Sequence, residues 1–312
     1  MNNMIWLIRR EVWENRSLWI APLVVAGIIL IIAAFGGVHV GGGNNVNLGW
    51  TDNPEISASD REHIRNAMSA ASMDHKELIY AIALSTFTTV QLFTMAFVLF
   101  FYLLDSLLAE RKDRSILFWK SLPVSDAQVV LSKLLTAVVV VPLFVLLVSS
   151  ALQVLFALVW SARFSGSGLG EALMAWHGPT WIKLQAAFLL FIASGMLWYL
   201  PLFAYLMLVS VWARRNAFLW AVLPPVAILA IEGLILRSNN FGEFLGHRFI
   251  GIFELLEKSA GAAADSDDMA TLSDVVRAVS GVFTSPETWI GVLVAAAMVF
   301  GVIRIRRFRD DS

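Results

Sequence analysis

Six long apolar runs alternate with polar segments along this chain of 312 residues. A helix needs about 20 mostly apolar residues to cross a bilayer. The pattern therefore predicts an all-α, polytopic membrane protein with six transmembrane helices, and residues 1–312 form a single transmembrane domain. Only the fifth run contains a charged side chain, Glu232. The runs cover residues 18–36, 78–104, 134–162, 184–213, 217–236 and 288–303.

The polar segments differ in pattern. The first, residues 1–17, is amphipathic and predicts a helix that lies at the membrane surface. Residues 38–77 predict a short helix over 60–74, and residues 237–287 predict two short helices joined by a flexible link. The polar and aromatic side chains that suit the surface helix are Arg9, Arg10, Trp13 and Glu14.

Basic residues are distributed unevenly among these segments. If the N-terminus is cytoplasmic, the cytoplasmic segments hold 14 of the 23 Lys and Arg residues although they are the shorter ones. Lys and Arg favour cytoplasmic loops. We therefore expect both termini in the cytoplasm of a cell-membrane protein, and residues 38–77 and 237–287 outside.

Composition narrows the function further. Hydrophobic residues make up 58% of the chain and charged residues only 15%, which excludes an ordinary soluble enzyme. Cysteine is absent, so the chain has no thiolate metal site. We find no phosphate-binding loop, no H-E-x-x-H and no G-x-S-x-G motif. We therefore expect no catalytic residue, no metal and no cofactor in this chain, and the net charge of −1 gives no attraction to nucleic acid.

The segment 105–127, between the second and third runs, mixes charged and apolar side chains. We expect a short amphipathic helix there that ends before Pro123, because a proline disfavours helix in the residue before it. Ser125 or Asp126 then caps the next helix. The charges alone are also explained by a topology anchor. The residues of interest are Glu110, Arg111, Arg114, Ser115, Ile116, Leu117, Phe118, Trp119, Leu122 and Pro123.

This segment resembles the loop between the second and third spans of ABC-2 type transporter permeases. That family shows an E-R-x-x-x-[ST] cluster, then apolar residues, then a Leu-Pro-[VI]-[ST] turn. Here the cluster is Glu110 to Ser115, and the turn is Leu122 to Ser125. Six spans with both ends inside are similar to the family as well, whereas residues 38–77 and 237–287 are longer than in its compact members.

The resemblance implies a transport subunit that is not itself an enzyme. It would pair with a second permease copy and with soluble ATP-binding-cassette ATPase subunits, which would carry ATP and Mg²⁺. Segment 105–127 would be the coupling helix that docks on the ATPase, and the N-terminal helix would lie beside it. We expect Glu110 and Arg114 to be exposed on the cytoplasmic face. The expected direction is export.

A few polar residues lie within the apolar runs. Glu232 is the only ionisable one. It either forms an interhelical hydrogen bond, or pairs with Arg237 or a base of the outer loop, or handles substrate or protons. Glutamines in spans more often join helices than line a path. Tyr199 and Tyr205 flank Pro201 and suggest a kink. The set comprises Glu232, Gln91, Gln153, Tyr199 and Tyr205.

Two other functions compete with the permease. An ATP-independent channel or secondary transporter would usually show more buried charge or repeated halves with broken helices. An intramembrane enzyme would place paired Asp, or Ser with His, at membrane depth, and the sequence has no such pair.

Overall fold

The computed structural model describes residues 3–35, 37–41, 45–49, 73–113, 124–163, 178–261 and 279–308. Within them, six helices are long and apolar enough to span a membrane. The predicted all-α polytopic fold is therefore confirmed, and so is the number of spans. The spans are Ser17–Phe35, Leu84–Lys112, Asp126–Val159, Trp181–Trp198, Ala217–Leu236 and Pro286–Phe308.

The helices and strands follow one another in simple order. One antiparallel hairpin, β1 (Gly37–Gly41) and β2 (Asn45–Gly49), follows the first span and is the one exception to helix in the described part of the chain. The helices are α1 (Asn3–Glu14), α2 (Ser17–Phe35), α3 (Met73–Asp105), α4 (Leu108–Lys112), α5 (Asp126–Leu135), α6 (Val141–Arg163), α7 (Gly178–Trp198), α8 (Leu200–Trp212), α9 (Ala217–Ile231), α10 (Asn240–Gly261) and α11 (Pro286–Phe308).

The N-terminal segment forms a helix separate from the first span, as predicted. Asn15 and Arg16 separate α1 from α2. Trp6 and Trp13 are each 71% exposed, whereas Leu7 is buried. The helix is therefore amphipathic, with one face on the protein and two indole rings on the other.

The third span starts with a capping box and contains an irregular turn. The Ser125 hydroxyl accepts a hydrogen bond from Gln128 N, and Ser125 N donates to Gln128 Oε1. Ser125 is therefore the cap. Between α5 and α6, residues Thr136–Val140 form a π-helical turn that ends two residues before Pro142. Because Pro142 has no N–H to donate, a shift of the hydrogen-bond ladder at this point is readily accommodated.

The fourth apolar run, 184–213, is two helices rather than one. α7 ends at Trp198, Tyr199 adopts a turn conformation, and α8 starts with Pro201 in its first turn. This agrees with the kink expected from Tyr199 and Pro201, since proline is favoured in the first helical turn and not inside a helix.

The fifth span remains helical through Pro224 and Pro225. A π-helical turn, Glu232–Leu236, ends it, and Arg237 then adopts a left-handed conformation with φ of 51°. Such a residue reverses the chain at a helix end. The turn brings the start of α10 back towards Glu232.

Of the two helices predicted within residues 237–287, one is present as α10, and residues 279–284 are also helical. The predicted link at 262–278 lies outside the described residues. The predicted helix at 60–74 also lies outside them, except for its last two residues, with which α3 begins.

The chain divides into two compact units. In the unit of Trp19–Met95 and Phe144–Ala186, the core is built on Ala26, Val148 and Leu152. The other unit comprises Met1–Leu18, Ala96–Leu143 and Ala187–Ser312, and there α8 packs along α11 while α5 contacts both α1 and α11.

Candidate functional site

Four charged side chains from four helices are buried together in the unit that contains both chain ends. Lys and Glu are almost never fully buried unless they are paired. A group of this kind therefore has to be internally compensated, or it would destabilise the fold by several kcal/mol. Their exposures are 1% for Glu11 in α1, 6% for Glu110 in α4, 2% for Lys133 in α5 and 3% for Arg306 in α11.

The two cations each face carboxylates from other helices. Lys133 Nζ lies 2.8 Å from Glu11 Oε1 and 3.1 Å from Glu110 Oε1. Arg306 Nη2 lies 3.0 Å from Glu110 Oε2, and Arg306 Nε lies 3.3 Å from Asp126 Oδ1. The two carboxylate oxygens of Glu110 therefore contact different cations: Oε1 contacts Lys133, and Oε2 contacts Arg306.

Arg10 and Tyr102 complete this group. Arg10 Nη2 donates to Glu11 Oε1 at 3.3 Å and to Glu110 Oε1 at 3.4 Å. The Tyr102 hydroxyl donates to Glu11 Oε2 at 3.1 Å. We call these residues the ion cluster: Arg10, Glu11, Tyr102, Glu110, Asp126, Lys133 and Arg306. It contains three cations and three carboxylates, so its formal charge is zero.

Local sequence explains why each helix presents its charge here. Glu11 follows Leu7 by four residues, which places both on the buried face of α1. Lys133 and Arg306 lie in the last turns of α5 and α11. At the end of α11 a cation is favoured because the free carbonyls carry partial negative charge. This does not apply to Lys133, because the helix continues from α5 through Thr136–Val140 into α6. Glu110 lies in the first turn of α4, where a carboxylate is favoured for the opposite reason.

A second set of bonds fastens α4 to the end of α8. The Ser210 hydroxyl accepts hydrogen bonds of 3.1 Å from the backbone N–H of both Leu107 and Leu108. Arg111 Nη2 donates to Ser210 O and Ala213 O, each at 2.6 Å. The last carbonyls of a helix have no partner within it. Arg111 therefore caps α8.

The structure shows the exposure and contacts of some of the residues that the sequence singled out. The expectation that Glu110 is exposed was wrong: the side chain is buried because three cations converge on it. Arg111 is half-buried against α8. Arg9 and Trp13 are exposed, and Glu14 Oε1 lies 2.9 Å from Arg10 Nε. The remaining loop residues lie outside the described part of the chain: Arg114, Ser115, Ile116, Leu117, Phe118, Trp119, Leu122 and Pro123.

Sequence reasoning missed Glu11, Lys133, Arg306 and Tyr102 as site residues. In the sequence, Lys133 and Arg306 belong to the 14 basic residues of the predicted cytoplasmic segments, and a topology signal explains both. A usable signal existed for Glu11, because its spacing from Leu7 puts an acid on the apolar face of α1. No local signal identified the partners, since they come from four separate helices.

The other unit contains an uncharged polar network around Gln153. Gln153 Nε2 donates to Thr88 Oγ1 at 3.0 Å and to Leu84 O at 3.1 Å. Its Oε1 accepts from Trp181 Nε1 and from Gln185 Nε2. Three helices are thereby joined through one buried amide, as expected of polar side chains between spans.

Two further polar residues of the spans bond to backbone carbonyls. Gln91 is buried in the same unit as Gln153, and its Nε2 donates to Pro22 O at 3.1 Å. In the unit with both chain ends, the Tyr205 hydroxyl donates to Ala221 O at 3.0 Å and so links α8 to α9.

Glu232 is buried and accepts hydrogen bonds from the next helix. Phe241 N donates to its Oε2 at 2.9 Å, and the Ser238 hydroxyl donates to its Oε1 at 3.1 Å. The carboxylate thus caps the N-terminus of α10, where negative charge is favoured. The expectation that Glu232 is the only ionisable group in a span was wrong, because the third span begins at Asp126 and includes Lys133.

We expect Glu232→Leu to lower the free energy of unfolding by about 1–2 kcal/mol, the usual cost of losing a helix cap. Glu232→Gln keeps one acceptor oxygen and should lose less than half of that. Thermal unfolding in detergent micelles measures both changes. Equal losses for the two variants would contradict the capping role and would indicate that the charge itself is needed.

A second cluster surrounds the break between α7 and α8. The Arg248 guanidinium lies 4.7 Å from the Trp198 ring centroid and donates to Trp198 O, while Trp198 Nε1 donates to Arg248 O. The Tyr199 hydroxyl donates to Phe249 O at 2.9 Å. Burial lowers the pKa of Arg248, and the Glu287 carboxylate opposes that shift. These bonds fix α10 against the break.

Metal binding and known relatives give no further assignment. Among the described residues, no group of three or more His, Asp or Glu side chains is placed to hold a metal ion. No family model, no curated protein and no solved structure matches this chain. A functional proposal therefore rests on the chain's own residues.

Proposed function

We propose that this chain is the permease subunit of an ABC-2 type transporter, driven by ATP hydrolysis on a separate ATPase subunit. One observation carries the proposal: α4, which opens the loop that resembles a coupling helix, is bound through Glu110 and Arg111 to four other helices. Those helices are α1, α5, α8 and α11.

This arrangement suits the transmission of movement. A force on the loop after Lys112 would act on α4, and the ion cluster and Ser210 would pass it to α5, α11 and α8. Interfaces between packed elements shift as rigid bodies between discrete arrangements. The two permease copies would then alternate between states as the ATPases close and open.

The proposal also specifies which side of the membrane each part of the chain faces. α1, α4 and the end of α11 would face the cytoplasm, in agreement with the distribution of basic residues. ATP and Mg²⁺ would bind the ATPase and not this chain. The cargo would move outward, through or along the spans of a permease pair.

The test is purification of the full chain from its native membranes in a mild detergent, with mass spectrometry of the proteins retained. We expect an ATPase with a phosphate-binding loop, and we expect hydrolysis in reconstituted vesicles to require the chain. Arg114→Ala with Phe118→Ala should abolish both results. A matched pair, Arg304→Ala with Phe308→Ala, removes the same charge and ring from exposed positions of α11 and should retain them.

Recovery of the chain without an ATPase would contradict the proposal and favour an ATP-independent channel or secondary transporter, provided that cooperative thermal unfolding shows the purified chain to be folded. Equal loss of the ATPase in both variant pairs would contradict the assignment of the loop as the docking site. Glu110 is left out of this test because its replacement would perturb the fold.

A further inference from the structure

An open groove of about 540 Å³ lies in the unit with both chain ends. Its walls come from the α1–α2 junction, the last turns of α3, the helix α4 and the start of α9. Tyr102 and Asn15 line it and also bond to Glu11, so the groove adjoins the ion cluster. The volume lies within the range of small-ligand sites.

One side of the groove is apolar and lies within the spans. The rings of Phe101 and Phe218 stack with centroids 6.5 Å apart and an angle of 11° between planes. Both rings are about half exposed, and Leu219 beside them is similarly exposed. These side chains belong to helices that are long and apolar enough to span a membrane, so they form an exposed apolar surface that suits hydrocarbon.

The polar side of the groove lies at the ends of the same helices. Asp105 follows Phe101 by four residues of α3, a rise of about 6 Å along the helix axis. Arg215 precedes Phe218 by three residues, in the turn before α9. Lys112, Arg215 and Asp105 are all exposed and all line the groove. Among the described residues that line the groove, two cations against one carboxylate leave a net charge of +1.

We propose that this groove binds an anionic phospholipid, with the phosphate at Lys112 and Arg215 and the acyl chains along Phe101 and Phe218. A ligand with one net negative charge matches the +1 lining, and basic grooves between spans at headgroup depth attract anionic lipids. A free phosphate would leave the aromatic wall unused. The proposal depends on the membrane-spanning fold and not on the proposed transport function.

The test is a titration of the purified full chain in a neutral detergent with fluorescent phosphatidylglycerol and, separately, fluorescent phosphatidylcholine. We expect phosphatidylglycerol to bind more tightly. Lys112→Gln with Arg215→Gln should weaken its binding by about 30-fold, or about fivefold for each cation. Arg214→Gln with Arg307→Gln removes the same charge from exposed residues outside the groove and should change the affinity less than twofold.

Asp105→Asn gives a change of opposite sign. Removal of this carboxylate should tighten phosphatidylglycerol binding by about fivefold, which damage to the fold would not produce. Equal affinity for the two lipids would overturn the proposal. So would an equal loss of affinity in the double variant of the groove and in the double variant outside it. Competition by inorganic phosphate as effective as that of unlabelled phosphatidylglycerol would also overturn it, and would indicate a site for a free anion.

Discussion

Lys133→Met should lower the free energy of unfolding by about 3–5 kcal/mol, the usual cost of removing one partner from a buried ion pair. The variant keeps most of the side-chain volume but leaves Glu11 and Glu110 with one cation fewer between them. Both carboxylates are buried, so water cannot replace the lost ammonium. Unfolding titrations with SDS in mixed micelles, followed by tryptophan fluorescence, measure the difference.

The same substitution at Lys183 is the matched control. Lys183 is exposed in α7, and exposed positions without special contacts usually change stability by no more than about 0.5 kcal/mol. A comparable loss at both positions would show that the lysines act through general hydrophobicity and not through the ion cluster.

A double variant separates the pair from its surroundings. Glu11→Gln removes the charge that Lys133 neutralises, so Lys133→Met should cost less in a Glu11→Gln background than in the wild type. The difference between the two costs is the coupling energy, which double-mutant cycles isolate for residues in contact. If the losses of stability in the two single variants add up to the loss in the double variant, the 2.8 Å contact between Lys133 and Glu11 contributes no coupling energy.

Arg248→Gln should have the second largest effect, about 2–4 kcal/mol. The variant loses a cation–π contact with Trp198, worth about 0.5–2 kcal/mol, and a charged hydrogen bond to Trp198 O, worth about 1.5–3 kcal/mol. The carbonyl lies in the last turn of α7, where the helix provides no N–H for it. The SDS titration measures stability, and hydrogen exchange in α10 shows whether this helix detaches first.

Arg304→Gln is the corresponding control, because the Arg304 guanidinium also lies over a ring, 5.4 Å from the Phe300 centroid, but at an exposed site. We expect a loss below about 1 kcal/mol there. If α10 exchanges no faster in Arg248→Gln than in the wild type, the bonds between α10 and the α7–α8 break do not hold this helix.

The cluster around Trp198 and Arg248 could be predicted from the sequence only in part, and the ion cluster could be predicted even less. Tyr199, Pro201 and Tyr205 are close in sequence, and together they predict a kink there. Arg248 lies 50 residues from Trp198, and nothing in the local pattern of α10 connects the two. The sequence predicts a kink at this position, but it predicts neither the division into two helices nor the helix that covers it.

The ion cluster shows the same limit more strongly. Charges near the ends of apolar runs are normally explained by topology, and that explanation was applied to Lys133 and Arg306. Burial of a charge depends on whether an opposite charge arrives from another helix, here from Glu11 across 122 residues. For the same reason Glu110 was expected at the surface, although three cations converge on it.

The all-α class, the six spans, the separate amphipathic N-terminal helix and a cap at Ser125 or Asp126 could all be predicted from the sequence alone. These depend on hydrophobic run length, periodicity and contacts within a few residues, and such properties are local. Tertiary packing, in contrast, selects which charges are buried together, makes Glu232 the cap of α10 and places charged side chains of the groove beside Phe101 and Phe218. Those features depend on contacts between side chains of distant helices, and the energy of such contacts cannot be predicted from any one segment.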